Sequence, residues 1–393
     1  MNILVLNCGS SSVKFALFRT TDHSTVAQGK IHKIGTDSAE KIVQIEGQKI
    51  VTAIDAPDQS SGLQSLMDEF KKGNLSDYSI DGIGHRVVHG GENFKSSCLV
   101  DDAMVHTIGN LSHLAPLHNP ANLLGIEMSR DAFGETPQVA VFDTAFHQSI
   151  PEKAYLYGLP YEWYSELGVR RYGFHGTSHR FVAQRYAELR QLPLNELQFI
   201  TLHLGNGSSA AAISGGRSVD TTMGMTPLEG LMMGTRSGDV DPGLFAYLQD
   251  TKGMSLDEIH NALNKKSGLL GLSGVSADLQ DLEARIDDPQ VSLTLEVLCY
   301  RMARQVHAMC TGLSRLDGLV FTGGIGENSS LVRKLCVDNL KVLGFKLDDH
   351  SNHKHGEFRN GFIQAPGSPD LTVIPTNEEL MIALDTAKLV EVL

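Results

Sequence analysis

The sequence has no apolar run near the roughly 20 residues that a membrane helix requires, and it has no basic run of the kind that neutralises a nucleic-acid backbone. Its net charge of −13 argues further against a nucleic-acid surface. Cysteine is scarce: Cys8, Cys98, Cys299, Cys310 and Cys336 are odd in number and form no Cys-x-x-Cys pair. Unpaired thiols fit a reducing compartment. No basic segment precedes Ile3, and the apolar run there is too short for a signal peptide. A soluble, cytoplasmic protein is expected. The 393 residues suggest about two domains as a prior, and a 41% hydrophobic content suffices for real cores.

The organising stretch is the first eighteen residues. Ile3-Leu4-Val5-Leu6 and Val13-Lys14-Phe15-Ala16-Leu17-Phe18 are strand-like runs around Asn7-Cys8-Gly9-Ser10-Ser11-Ser12. Two such runs joined by a small polar turn predict a hairpin. Its tip leaves backbone N–H groups free to face an anion, and Lys14 adds a point charge. It is not a Walker A loop, because no Gly-Lys-Ser/Thr follows Gly9. Half a chain later, Phe199–Leu204 leads into Gly205-Asn206-Gly207-Ser208-Ser209 and Ala210–Ile213. Gly9-Ser10-Ser11 and Gly207-Ser208-Ser209 are expected to occupy equivalent places in a duplicated fold. That pattern resembles the actin, sugar-kinase and Hsp70 superfamily.

Along the chain, a helix is expected around 62–72. The run 83–92 reads as a strand dense in His, with Arg86 as either a clamp for an anionic ligand or the partner of a core acid. His118 precedes a helix opening near Ala121, as a cap or core residue. Val139–Phe142 delivers Asp143 at a strand's carboxyl end, where ligand groups collect in open α/β sheets. A helix over 180–190 is expected to be capped by Thr177 or Ser178. His175 and His179 are four apart, but Gly176 stands where a His-Glu-x-x-His motif needs Glu, so zinc is rejected. The Gly-rich stretches around Arg236 and from Ser267 to Asp278 suit close approach to a ligand. A long helix is expected over 291–312. Strand 319–321 then enters a Gly-rich turn, 322–328, with a helix from Ser329. That turn suits a nucleotide and lacks the third Gly of a dinucleotide fingerprint. Thr376 and Glu379 have capping-box spacing, which leaves Glu378 for another task.

As an ordered set, these motifs resemble the acetate kinase family over essentially the whole chain. The carriers are 7–14, 84–92, 142–147, 172–179, 203–209, 234–242, 323–328 and 376–379. One departure is Gln280, where the family typically carries Arg. The resemblance implies an α/β fold of two actin-like (ribonuclease H-like) ATPase domains with a nucleotide cleft between them. These would be residues 1–150, joined by the carboxy-terminal helix 377–393, and a nucleotide-binding domain over 151–376.

It also implies a homodimer that transfers a phosphoryl group between ATP and acetate, giving ADP and acetyl phosphate, with Mg²⁺ or alternatively Mn²⁺. Asn7 and Glu378 would serve the metal. Lys14, His203, Leu204, Gly205, Asn206, Gly207, Asp278, Leu279, Gln280, Gly324, Ile325, Gly326, Glu327 and Asn328 would hold the nucleotide. Arg86 would hold the acid, with Val88, Leu117, His118, Phe174 and Pro227 around it. Asp143, His175 and Arg236 would be catalytic. The family's Asp is often described as a proton donor or acceptor; since the acid is already ionised at pH 7, Asp143 is expected instead to orient the metal's water shell and Arg236. The rival readings are a propionate kinase of the same family, a sugar kinase using Asp143 as base, and a non-enzymatic actin- or Hsp70-like switch.

Overall fold

The structure is a computed structural model and describes residues 1–9, 11–116 and 118–393. It divides into two compact units, Met1–Phe146 with Asn377–Leu393, and His147–Thr376. Among the described residues no helix is long and apolar enough to cross a membrane.

The first unit is built on an eight-stranded sheet. Its strands are β1 (Asn2–Cys8), β2 (Ser12–Arg19), β3 (Ser24–His32), β4 (Glu40–Ile45), β5 (Gln48–Ala53), β6 (Gly82–Val87), β7 (Cys98–Leu99) and β8 (Gln138–Phe142). Their order is β5-β4-β3-β2-β1-β6-β8-β7. Strand β1 reads as a continuous apolar run because both of its faces are covered. Leu4 and Leu6 pack with Leu63, Leu66 and Met67 of the helix Gln59–Lys72. Ile3 and Val5 pack with Ile382, Ala383 and Ala387 of the carboxy-terminal helix Glu378–Val390. Each of these buried Leu, Ile, Val and Met side chains contributes about 1.5–3 kcal/mol relative to exposure. The carboxy-terminal helix lies so close to β6 that a Cβ on Gly84 would stand 2.4 Å from Thr386 Oγ1.

The second unit carries a five-stranded sheet of β9 (Gln198–Leu204), β10 (Ser208–Ser214), β11 (Arg217–Thr221), β12 (Gly318–Thr322) and β13 (Asp370–Val373). The order is β11-β10-β9-β12-β13. The helix Pro289–Met309 buries Leu295, Leu298, Met302 and Val306 in a core shared with Ile200, Leu202, Ala210 and Ala212. The helix Gly176–Arg190 places Tyr186 against Phe199, with ring centroids 4.7 Å apart.

The two sheets repeat one topology. β3-β2-β1-β6-β8 and β11-β10-β9-β12-β13 each run antiparallel through the first two pairings and parallel through the next two. The register also repeats: Ile3 pairs with Gly82 as Phe199 pairs with Gly318. One expected equivalence is corrected. The pair opposite Asn7 is Lys14, and the pair opposite His203 is Ser209. Lys14 therefore corresponds to Ser209, and Gly9 to Gly205 rather than Gly207. The first hairpin closes at Cys8–Val13 and the second at Leu204–Ser208, so the second loop is shorter and its Ser-Ser falls inside a strand.

Candidate active site

In the first unit, the helix Asn119–Phe133 fixes two ligand-facing segments at once. Asn122 Oδ1 accepts from Val88 N at 3.0 Å, and its Nδ2 donates to the Cys8 carbonyl at 2.7 Å. Asn119 bonds both backbone groups of His89, at 3.1 and 3.0 Å. The i,i+3 spacing puts both amides on one helical face. Thr144 Oγ1 accepts from Gly90 N at 3.0 Å. The chain leaving β6 is thereby held by side chains where the sheet ladder ends. Val88 and His118 are half-buried, His118 at the helix's N-cap position. Leu117 lies outside the described residues.

Arg86 leaves the end of β6 and meets Asp143, just past β8. Arg86 Nε donates to Asp143 Oδ1 at 3.0 Å and Nη2 to Oδ2 at 2.7 Å. The Asp143 charge raises the Arg86 pKa above its already high ordinary value, with Glu378 and Glu379 adding to it. Burial and the Glu378 charge push the Glu379 carboxyl above its ordinary range, while Lys14 and Arg86 pull the other way. Asn7 and Lys14 stand opposite each other on β1 and β2.

The expected capping box is corrected. Asn377 is the N-cap, with its side chain accepting from Leu380 N at 2.9 Å, and the Thr376 hydroxyl is engaged by Ser178 at 2.7 Å. Glu379 is consequently released from capping and joins Glu378. Two adjacent carboxylates, one of them raised by burial and by its neighbour's charge, suit a hard divalent cation. Among the described residues no group of three or more His, Cys, Asp or Glu could hold a metal by itself. A donor set of this kind fits a cation that keeps waters and takes phosphate oxygens as further ligands.

In the second unit, His175 sits in the left-handed region (φ 56°) at the N-cap of the helix Gly176–Arg190, with no side-chain cap bond. Thr177 and Ser178 lie inside that helix, so neither caps it. Ser178 Oγ instead bonds His203 Nδ1 at 2.8 Å. His175 stacks on His203 with centroids 4.4 Å apart, and its Nδ1 meets Ser209 Oγ at 2.9 Å. Arg236 donates from Nη1 to the Pro227 carbonyl at 2.7 Å, and burial lowers its pKa. Among the described residues no carboxylate pairs with it. A Cβ on Gly207 would lie 3.4 Å from both Arg236 Nη2 and His175 Nε2. The turn Gly205–Gly207, the guanidinium and the imidazole therefore converge on one spot. A guanidinium and an imidazole brought to one point beside a small Gly turn can receive an anion.

The loop bearing Pro227 is braced from behind. Arg171 Nη1 donates to the carbonyls of Thr221 and Thr222 at 2.9 and 2.8 Å, and its Nη2 pairs with Glu229 at 2.5 Å. Glu229 also accepts from the Tyr157 hydroxyl. Phe174 is buried, and its carbonyl meets His147 Nε2 at 2.9 Å.

A cavity of about 470 Å³ in this unit brings together Gly205, Asn206, Asp278, Leu279, Gln280, Gly324, Ile325 and Asn328. Ala277, within the Gly-rich stretch that ends at Asp278, lines it too, as do Glu283 and Ser329, of which the motifs gave no sign. Glu283 is one helical turn beyond Leu279, on the short helix Leu279–Glu283. Leu204 is a buried core side chain instead. Gly326 and Glu327 do not line the cavity: Gly326 is buried behind Phe321, and Glu327 Oε1 accepts from Gly323 N and Thr376 N at 2.9 and 3.0 Å. The expected turn at 322–328 is a helix, Gly323–Asn328, started by Gly323 at φ +75°.

The acetokinase family profile matches residues 2–384. The chain belongs to the acetokinase family. Acetate kinase of Stutzerimonas stutzeri is 51% identical over 99% of both chains, and that of Chromobacterium violaceum is 49% identical over 99% of this chain and 98% of the other. A crystal structure of a propionate kinase from Francisella tularensis superposes with a TM-score of 0.93 at 42% identity, covering 99% of each chain. The mixed α/β architecture with two actin-like domains is the acetokinase fold.

Proposed function

We propose that the protein is an ATP:acetate phosphotransferase, forming acetyl phosphate and ADP reversibly. The observation that carries this reading is Arg236: a half-buried guanidinium, desolvated enough to lower its pKa, with no carboxylate partner among the described residues, beside His175 and the Gly207 backbone. A partly desolvated cation without a counter-ion favours the arrival of an anion. A transferring phosphoryl group is such an anion, and its equatorial oxygens need this charge at the transition state.

The remaining roles follow from charge. The cavity lined by Asp278, Glu283, Gln280 and Asn206 carries no cation, so it suits the neutral adenosine end of the nucleotide. The phosphates would lie toward Gly205, Gly207, His175 and Arg236. Arg86, held edge-on by Asp143, would bind the acid's carboxylate, with Val88, Leu117, His118, Phe174 and Pro227 around the acid. Acetate is already ionised at neutral pH, so no general base is needed. Asp143 would act by holding Arg86. The family takes ATP with a divalent metal; here Mg²⁺, with Mn²⁺ as an alternative, would be held by Asn7 and Glu378 and would neutralise phosphate charge. Lys14 would add to that neutralisation. The second unit is read as the nucleotide-binding domain. A cytoplasmic homodimer completes the reading, on the odd, unpaired thiols and the family resemblance.

The test is to mix protein, Mg-ATP and a panel of carboxylates and trap acyl phosphate with hydroxylamine. Hydroxamate from acetate is expected. None from acetate, propionate or butyrate would overturn the assignment.

A further inference from the structure

A chain of side-chain hydrogen bonds runs inward from His175 and has no place in the phosphoryl-transfer scheme above. His175 Nδ1 meets Ser209 Oγ at 2.9 Å, Ser209 Oγ meets His179 Nε2 at 2.8 Å, and His179 Nδ1 meets Thr201 Oγ1 at 2.7 Å. Thr201, His179 and Ser209 are fully buried. We infer that Ser209, His179 and Thr201 are positioning residues that fix which ring nitrogen of His175 carries a proton. This rests on the reading of His175 as a phosphoryl contact.

The argument is a count of protons. Ser209 has one hydroxyl hydrogen and two imidazole partners: it cannot donate to both neutral rings, and accepting from both would leave its buried hydrogen unpartnered, so one ring donating and the other accepting is the favoured state. The two tautomers are therefore coupled. The inferred direction takes the Thr201 hydroxyl hydrogen to the Ala211 carbonyl, the other acceptor it reaches, 3.4 Å away. Spending its hydrogen there leaves Thr201 as acceptor for His179 Nδ1–H. His179 Nε2 is then bare and accepts from Ser209, and Ser209 accepts from His175 Nδ1–H. Burial holds the His179 pKa well below its ordinary value, with His147 and His203 acting in the same direction, which keeps that ring neutral.

The consequence falls on His175 Nε2, the nitrogen beside Gly207. In the neutral ring Nε2 carries a lone pair and cannot donate to a phosphoryl oxygen. Only the imidazolium presents an N–H there. Donation from His175 is thus tied to its protonation, and binding of an anion should draw in a proton. Among the charged and titratable groups facing the ring within this unit are His203, stacked at 4.4 Å, Arg236 beside Gly207, and His179 through Ser209, with His147 behind His179.

The test uses the full-length protein with ¹⁵N-labelled histidine, with side-chain ¹H–¹⁵N correlations recorded above the titration of His175 and assigned with His175→Gln and His179→Gln. The expected result is the Nδ1–H tautomer at both His175 and His179. Thr201→Val keeps the shape and removes the inner acceptor. It should reverse the chain, giving His175 the Nε2–H tautomer and raising kcat on the alkaline side severalfold relative to wild type. Ser209→Ala, which cuts the chain in a second way, should let the two tautomers vary independently. An Nε2–H tautomer at His175 in the wild type, or a His175 tautomer unmoved by both substitutions, would overturn the inference. Because the tautomer is read without turnover, a failure of the acetate assignment would register separately, as absent hydroxamate with the tautomers as described.

Discussion

Asp143 grips Arg86 along one edge, with Nε at 3.0 Å and Nη2 at 2.7 Å from its two oxygens, while Nη1 bonds nothing among the described residues. The arginine is thereby fixed in plane and keeps one amino group to offer. Asp143→Asn keeps the shape but sets an amide NH₂ against a guanidinium donor. The kcat/KM for acetate is expected to fall on the order of 10²-fold or more. Nucleotide affinity, on the proposal that places the nucleotide in the second unit's cavity, should barely change. An equal loss of nucleotide affinity would contradict the role.

Arg236 offers a different geometry, one amino group fixed on the Pro227 carbonyl and the other beside Gly207. Lysine can satisfy one of these and not both. Arg236→Lys should lower kcat by on the order of 10²-fold with little change in ATP binding. A near-normal kcat with a raised KM for acetate would reassign Arg236 to ground-state binding.

The cavity proposed for the nucleotide can be probed without disturbing the fold. A Cβ on Gly324 would meet nothing within 4 Å, and Gly324 lines the cavity. Gly324→Ala should keep the melting temperature and weaken ATP binding about tenfold, a loss of about 1.4 kcal/mol. Gln280 is exposed at the same cavity. Gln280→Arg should tighten nucleotide binding about tenfold at most, since one exposed contact rarely exceeds about 1 kcal/mol. Calorimetric titration with ATP reads both, and unchanged affinities would move the nucleotide elsewhere.

Stability should depend on pH through buried imidazoles. His85 bonds Gln138 at 2.8 Å, and burial lowers its pKa to about 4; burial does the same at His147. Both folded values lie below the ordinary 6.5, so each contribution is complete above about pH 6.5 and is lost as pH falls toward 4. Each is worth roughly 3 kcal/mol at most. Melting temperature should fall across that window, and His85→Gln should flatten the fall. A melting temperature constant from pH 6.5 to 4 would contradict the burial argument.

Both hairpins and their flanking parallel strands were legible because β1, β9 and β12 are apolar runs bounded by glycine and small polar residues. What escaped was decided by tertiary contacts. Thr376 and Asn377 are both acceptable N-caps by residue type, and only the Ser178 hydroxyl opposite Thr376 shifts the cap by one residue. That one-residue shift is what frees Glu379 to join the charged cluster. Gly323–Asn328 is poor helix sequence, and it is helical because Glu327 accepts the Gly323 N–H at its start. Thr177 and Ser178 look like caps, yet the chain enters that helix through His175 at a positive φ. Asn119 and Asn122 carried a weak signal, two amides at i,i+3 after a proline-bounded loop. The chain His175–Ser209–His179–Thr201 joins two strands and a helix, so no local pattern announces it.

The measurement that bears most directly on acetate as the acceptor is kcat/KM for acetate, propionate and butyrate, side by side, in wild type and Val88→Ala. Val88 is half-buried, pinned by its N–H to Asn122, and stiff at χ1. A methylene in an apolar pocket is worth about 1–3 kcal/mol, so discrimination should be tens-fold rather than absolute. Acetate should be best, propionate slower and butyrate poor, and Val88→Ala should raise the propionate-to-acetate ratio roughly tenfold. A wild type that already prefers propionate, or one that forms no acyl phosphate from acetate, would contradict the account.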